Sequence, residues 1–307
     1  MEARWLLTAN TLNIQRHGTV AASATLGSAV GGVREIPNVP YLHQGGRVES
    51  LDLYVPTGPV PAVGRPTILA LPGGGWRWVR RNDLGSAVAT FAKFGYVVAV
   101  ADYAYASAQP GTHVYPNNIE DVRQAVRWLK TNATKYGIDP TKIAAWGESA
   151  GGHLANLLGT NPDGPLNGAP DPNSAVSARV QAVVDFYGPA DLAKLYQENS
   201  RARPYLGMFL GGSPTQYPAR FDDASPVSHV TKEAPPFLIF QGTADKANLA
   251  DQSTEFATRL AQAGVPVSIQ LEQGLPHGFR LHPGNGVDYT PLVLSFLDSA
   301  LHVSPSR

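Results

Sequence analysis

Three features of the chain predict an α/β fold, a mostly parallel central sheet with helices on both faces. Strand-like and helix-like segments alternate from residue 47 onward. Several of the strand-like segments are continuous apolar runs, as strands covered on both faces require. Glycine-rich breaks fall at the ends of those runs, where a chain turning from strand to helix needs them.

The elements follow in order. Val48, Leu51, Leu53 and Val55 lie in a strand-like stretch, and the Pro/Gly-rich residues 56–66 form a turn. Residues 67–71 are a buried strand ending in Gly73-Gly74-Gly75. A helix over 83–94 and a buried strand over 96–100 come next. Ile119, Val122, Val126, Leu129 and Ala133 recur at helical spacing, with Asp121, Arg123, Arg127 and Lys130 on the other side. Gly137-Ile138-Asp139-Pro140 breaks the chain, and a strand over 142–146 follows. Strands over 180–186, 237–241 and 267–271, a helix over 252–263 and a closing helix over 291–301 complete the alternation. Only 189–235 breaks the rhythm: it is rich in aromatics, prolines and glycines without a clear strand, and it is expected to form a small cap over a pocket.

Composition sets the outer limits. The chain has 307 residues, 43% hydrophobic and 16% charged, which suits one large buried core. Lys+Arg and Asp+Glu are both 24, so no summed field draws in nucleic acid or anionic lipid, and a small molecule is the expected partner. With Cys 0 there is no thiolate nucleophile and no cysteine metal site. Neither H-E-x-x-H nor a clustered His/Asp set suggests a metal, and Gly73-Gly74-Gly75 continues neither into a P-loop nor into a dinucleotide fingerprint, so no cofactor is expected.

Residues 1–46 are expected to be an N-terminal arm, poorly ordered or packed, ahead of a catalytic domain over 47–307. Arg4-Trp5-Leu6-Leu7 starts in the manner of a signal peptide, but Asn10, Asn13, Gln15, Arg16 and His17 interrupt the apolar stretch too early. Ala22-Ser23-Ala24 resembles a cleavage site, so secretion is the alternative to the cytoplasmic location favoured. No run of about 18 apolar residues occurs, and no membrane span is expected.

The chemistry centres on Gly147-Glu148-Ser149-Ala150-Gly151. This G-x-S-x-G lies between an apolar strand and a helix carrying Leu154, Leu157 and Leu158, the setting in which a tight turn presents a serine hydroxyl above the sheet's carboxyl edge. A serine hydroxyl needs a base, and the base an orienting acid, in the chain order Ser, Asp/Glu, His. His277 follows the 267–271 strand and is the expected base, over His282, His229 and His153. Asp245 follows the 237–241 strand and is the expected acid, with Asp185 and Asp191 as fallbacks. The backbone N–H groups of Gly74, Gly75 and Ala150 are the expected oxyanion donors. Trp76 and Tyr187 are expected to line the pocket, with Trp78, Tyr103 and Tyr105 as further candidates.

Taken together, Leu51-Asp52-Leu53-Tyr54-Val55-Pro56, Pro72-Gly73-Gly74-Gly75-Trp76, Tyr136-Gly137-Ile138-Asp139-Pro140, the serine motif through His153, Val183-Val184-Asp185-Phe186-Tyr187-Gly188 and His277-Gly278-Phe279 resemble the α/β-hydrolase carboxylesterases. The likeness is greatest to the acetyl-xylan/feruloyl esterase-like branch near the hormone-sensitive-lipase group. It implies Ser149, Asp245 and His277 as a triad, hydrolysis of small-acyl esters through an acyl-enzyme, and no cofactor. Four positions depart from the family pattern. Pro72 stands where histidine is usual, Gln241-Gly242 where His-Gly is usual, Asn248-Leu249 where Val-Pro is usual, and Tyr103-Ala104-Tyr105 where Tyr-Arg-Leu is usual. An arylformamidase or small-amide hydrolase would use the same groups, and a ligand-binding receptor on a hydrolase scaffold is the reading from another class.

Overall fold

The computed structural model describes residues 12–17, 31–44, 46–106, 114–164, 173–282 and 287–303. Its strands, in chain order, are β1 (Leu12–His17), β2 (Val33–Gln44), β3 (Arg47–Pro56), β4 (Arg65–Leu71), β5 (Val97–Ala101), β6 (Ile138–Glu148), β7 (Ala182–Phe186), β8 (Phe237–Gly242) and β9 (Val267–Glu272). They form one sheet in the order β1-β9-β8-β7-β6-β4-β5-β3-β2. Pairing is parallel from β1 across to β5, and antiparallel where β3 meets β5 and β2 meets β3. The α/β-hydrolase fold expected from the sequence is the one observed.

The helices are α1 (Arg81–Val88), α2 (Asn117–Thr131), α3 (Ala133–Tyr136), α4 (Ala150–Thr160), α5 (Leu192–Glu198), α6 (Arg203–Leu210), α7 (Pro218–Asp223), α8 (Ala250–Gln262) and α9 (Thr290–Ala300). Alternate residues of the central strands point into two separate cores. Leu69, Val97, Ala99, Ala145, Val183, Ile239 and Ile269 pack with α2, α4 and α8 on one face. On the other, Ile68, Val98, Val100, Trp146, Val184, Phe186, Leu238 and Phe240 pack with α1 and α9. Each Val, Leu, Ile or Phe among them contributes about 1.5–3 kcal/mol on leaving water, so the two layers fix the register of every central strand.

Of the two states expected for the arm over 1–46, poorly ordered or packed, its described residues are packed, and one further expectation meets a different outcome. The arm over 1–46 supplies strands to the sheet: β2 runs antiparallel along β3 from Val33↔Pro56 to Gln44↔Arg47, and β1 lies parallel to β9 at the opposite edge. Residues 31–44 therefore belong to the same sheet as 47–307; the possible cleavage site at Ala22-Ser23-Ala24 lies outside the described residues. Pro37 and Pro40 in β2 sit on an edge strand, where a missing N–H leaves no ladder bond unmade, and the register shifts beside them.

That expectation concerns the charged side of α2, where Asp121, Arg123 and Arg127 are buried instead of solvated. Each is engaged: Arg47 donates two hydrogen bonds to Asp121 at 2.9 and 3.0 Å, and Arg123 and Arg127 donate to the carbonyls of Asn161 and Val176. A buried charge persists only when paired in this way.

The interval 189–235 carries α5, α6, α7 and a 3₁₀ turn over Pro226–His229. The last three have proline at a first helical position, which presets the backbone for a short helix. Asp191 caps α5 by accepting from the N–H of Lys194 at 2.9 Å.

Candidate active site

Strand β6 ends at Glu148 and α4 begins at Ala150, so the whole turn falls on Ser149. Its backbone has φ 54 and ψ −116, a conformation costing about 1–3 kcal/mol that a packed surround must impose. That surround is close. A Cβ on Gly147 would lie 2.1 Å from the carbonyl oxygen of Gly151, and one on Gly151 would lie 2.0 Å from that of Leu71. The glycines of the motif are thus demanded by backbone meeting backbone.

The hydroxyl so presented meets His277, whose Nε2 lies 2.9 Å from Ser149 Oγ. On the far side of the ring, Nδ1 lies 2.7 Å from Asp245 Oδ2. Asp245 is buried at 6% exposure, and its other oxygen accepts from the N–H groups of Ala247 and Asn248 at 2.8 and 2.9 Å. Gln241, in β8, adds a donor to Oδ2 at 3.3 Å, and its own carbonyl accepts from Ser253 at 2.8 Å. The chain thus sets an amide beside the carboxylate at one of its departures from the family pattern.

Tyr187 packs against the His277 ring with centroids 4.7 Å apart and donates its hydroxyl to the Phe279 carbonyl at 2.8 Å, tying β7 to the histidine loop. Donation by the histidine to Asp245 leaves Nε2 as the acceptor facing the serine, the arrangement in which an imidazole can take a hydroxyl proton.

Gly73, Gly74 and Gly75 follow β4 and approach the serine directly: a Cβ on Gly73 would stand 3.3 Å from that of Ser149. Gly74 has φ +134, and a side chain there would meet the Trp78 carbonyl at 2.0 Å. Ala150 is the first residue of α4, so its N–H has no partner within the helix and adds to the positive end of the helix dipole. With Pro72 in place of histidine, the loop is braced by other groups. The Tyr103 hydroxyl donates to the Pro72 carbonyl at 2.5 Å, and the N–H groups of Arg77 and Ala106 donate to the carbonyls of Gly74 and Trp76.

A cavity of about 880 Å³ opens over these groups, lined in part by Gly74, Gly75, Trp76, Trp78, Tyr187 and Tyr205. Ser149 and His277 line it as well, with Leu195, Arg201, Ala202 and Tyr205 contributed by the 189–235 interval. Tyr103 lies beneath the glycine loop, and Tyr105 is not among the lining residues. Glu148 lines the cavity too, and burial pushes its carboxyl up to about 7 against the opposing pull of Arg280.

The other candidates have different partners. His282 faces Asp288 at 3.1 Å and His229 bonds the Asp223 carbonyl at 2.8 Å, both away from the serine. Asp185, raised to about 7 by burial, accepts from Asn156 and from the N–H of Gly188. His153 is fully buried between Trp76 and Ala224, a placement that its position one helical turn from Ser149 hints at but does not specify. No group of three His, Cys, Asp or Glu suited to a metal occurs among the described residues, and no helix there is long and apolar enough to cross a membrane.

Comparison with known proteins gives the geometry its context. The family model described as BD-FAE matches residues 51–260. Esterase LipC of Mycobacterium tuberculosis is 32% identical over 252 residues, which cover 81% of this chain and 61% of LipC, so the chain spans about six-tenths of that relative's length. The native structure of esterase Est2 from the planctomycete Thermogutta terrifontis aligns with a TM-score of 0.70 at 28% identity, over 88% of this chain and 92% of that one. The propionate-bound form of the same esterase aligns with a TM-score of 0.71 at 27% identity, over 89% and 95%.

Proposed function

The chain belongs to the BD-FAE family within the α/β-hydrolase carboxylesterases, and from that premise we propose that it is a serine carboxylic ester hydrolase with Ser149, His277 and Asp245 as its catalytic triad. The observation that carries the reading is the unbroken line from Ser149 Oγ to His277 Nε2 at 2.9 Å and from Nδ1 to Asp245 at 2.7 Å, with the serine on a strained turn facing a cavity.

In this reading Ser149 Oγ attacks the ester carbonyl while His277 Nε2 takes its proton. The oxyanion that forms is met by the N–H groups of Gly74, Gly75 and Ala150, donors fixed in place before the charge develops. Collapse of the tetrahedral species breaks the bond to the alkoxide, which leaves as the alcohol with the proton from His277. Water, deprotonated by the same nitrogen, then attacks the acyl-serine, and the acid departs with Ser149 restored. Asp245 keeps its negative charge throughout, holding the ring and stabilising the imidazolium.

The substrates proposed are esters of small acyl groups, acetyl-like or feruloyl, and residues 189–235 are proposed as a cap that shapes the site. Propionate in the similar Thermogutta esterase supports a short acyl group.

The test is hydrolysis of p-nitrophenyl esters from acetate to octanoate by the protein and its Ser149→Ala variant. Activity falling with acyl length and reduced at least roughly a thousandfold in the variant is expected. Undiminished turnover in the variant would refute Ser149 as nucleophile, and preferential cleavage of an aryl formamide would shift the assignment to amides.

A further inference from the structure

The buried histidine behind the serine is a titratable group beside this site that the mechanism leaves without a part. His153 lies one turn along α4, its N–H bonded to the Ser149 carbonyl at 2.9 Å, and its side chain is wholly buried. The ring turns away from the serine. Nδ1 lies 3.2 Å from Trp76 Nε1 and Nε2 lies 2.7 Å from the Ala224 carbonyl oxygen.

An indole nitrogen only donates and a carbonyl oxygen only accepts, so these partners admit one state of the ring: neutral, with the proton on Nε2. Burial favours the same state, pushing the group down to about 4.

Trp76 is the residue next to the oxyanion glycines and sits at φ +56, which a tryptophan adopts only when held there. Its indole lies flat on Phe209 of α6, ring centroids 4.6 Å apart and 3° from parallel. His153 meets the same phenylalanine edge-on at 5.5 Å. One imidazole therefore joins three separate pieces of chain: the helix that carries the serine, the loop that carries Gly74 and Gly75, and the insertion through Ala224 and Phe209.

We propose that His153 is a positioning residue for the oxyanion loop, locking Trp76 and through it the Gly74 and Gly75 donors to the serine helix and to the 189–235 insertion. The proposal rests on the esterase reading. A donor displaced by a fraction of an ångström still binds a planar ester but stabilises the tetrahedral oxyanion less, so the loss falls on kcat and not on KM.

The experiment measures kcat and KM for p-nitrophenyl acetate in the wild type, Ser149→Ala, His153→Phe, His153→Gln, Trp76→Phe and the double variant His153→Phe/Trp76→Phe. Rates are expressed per active site, counted by the p-nitrophenol released on stoichiometric phosphorylation with paraoxon, so that misfolded protein does not enter; Ser149→Ala, which lacks the phosphorylated hydroxyl, is expressed per mole of protein. His153→Phe keeps the ring packing but can neither accept nor donate, and its kcat is expected to fall roughly tenfold to a hundredfold with KM within about threefold. Glutamine offers one acceptor and one donor, and should restore most of the loss. Trp76→Phe should match His153→Phe, and the double variant should be no slower than the slower single one, because both remove one shared bond.

A His153→Phe enzyme with wild-type kcat per site, a glutamine variant no better than phenylalanine, or losses that multiply in the double variant would each overturn the role of His153 while leaving the esterase reading intact. A wild type without Ser149-dependent turnover would overturn the esterase reading, and this role with it.

Discussion

The site depends first on single atoms where backbone meets backbone. Gly151 is the sharpest instance, because a methyl group there would sit 2.0 Å from the Leu71 carbonyl oxygen and 2.6 Å from its carbon, and neither belongs to a side chain that can swing aside. Gly151→Ala is expected to lower stability by about 3 kcal/mol, through displacement of either β4 or α4. A shifted urea midpoint at unchanged slope would record it, and a midpoint equal to wild type would show that the elbow is looser than its contacts imply. At this scale much was legible. Ser149, Asp245 and His277 each follow a strand that the apolar pattern marks, and the serine motif with the order Ser, Asp, His makes them first candidates, with Asp185, Asp191 and His282 still beside them. The parts played by Gln241 and His153 were not legible, because each is defined by partners distant in the chain: Ser253 and Asp245 for one, Trp76 and Ala224 for the other.

Among the elements, the central strands and long helices announce themselves through burial on both faces, whereas edge elements do not. β1 and β2 alternate weakly and are partly exposed, and their partners β9 and β3 cannot be inferred from residues 12–17 or 33–44 taken alone. The short helices of 189–235 span four to eight residues, too few turns for a periodic signal, and take their form from Pro204, Pro218, Pro226 and the Asp191 cap. Asp191 gives a clean measure of such a cap. Asp191→Ala should cost about 1 kcal/mol in chemical unfolding. Ester turnover should stay within about threefold of wild type, since this carboxylate bonds the start of α5 and not His277. A far larger loss of turnover would reopen its candidacy as the catalytic acid.

For the whole molecule, formal neutrality conceals an uneven proton inventory. Burial raises Glu49, Glu148 and Asp185 to about 7 from ordinary values of 4.5, 4.5 and 3.8. Asp102 and Asp121 are also raised, again with burial as the leading cause. Across the interval from about pH 4.5 to 7, the native chain holds protons on Glu49, Glu148 and Asp185 that the unfolded chain has released, so stability falls as pH rises through it. His153 works in the opposite sense between about 4 and 6.5, where only the unfolded chain binds its proton, whereas Asp163, lowered because its hydrogen bonds outweigh burial, acts only at more acid pH. These three carboxyls outnumber the one opposing histidine in the interval, and calorimetry should find a lower melting temperature at about pH 8 than at about pH 5. Asp185→Asn should reduce that slope; a melting temperature that climbs over the same interval would contradict protonated native carboxyls.

The pairing of β1 with β9 also bears on the order in which the protein can be assembled. Leu12 pairs with Val267 and His17 with Glu272, so β1 finds its neighbour only after β9, far further along the chain, has been made. Until then β1 has no seat in the sheet, and the loop bearing His277, which follows β9 directly, has no finished edge beside it. Seating β1 is therefore a long-range closure, carrying the entropy of a loop that contains β2 to β8. The first described strand acts as a clasp on the last, and the sheet edge next to the histidine loop is completed by residues from the opposite end of the sheet's chain order.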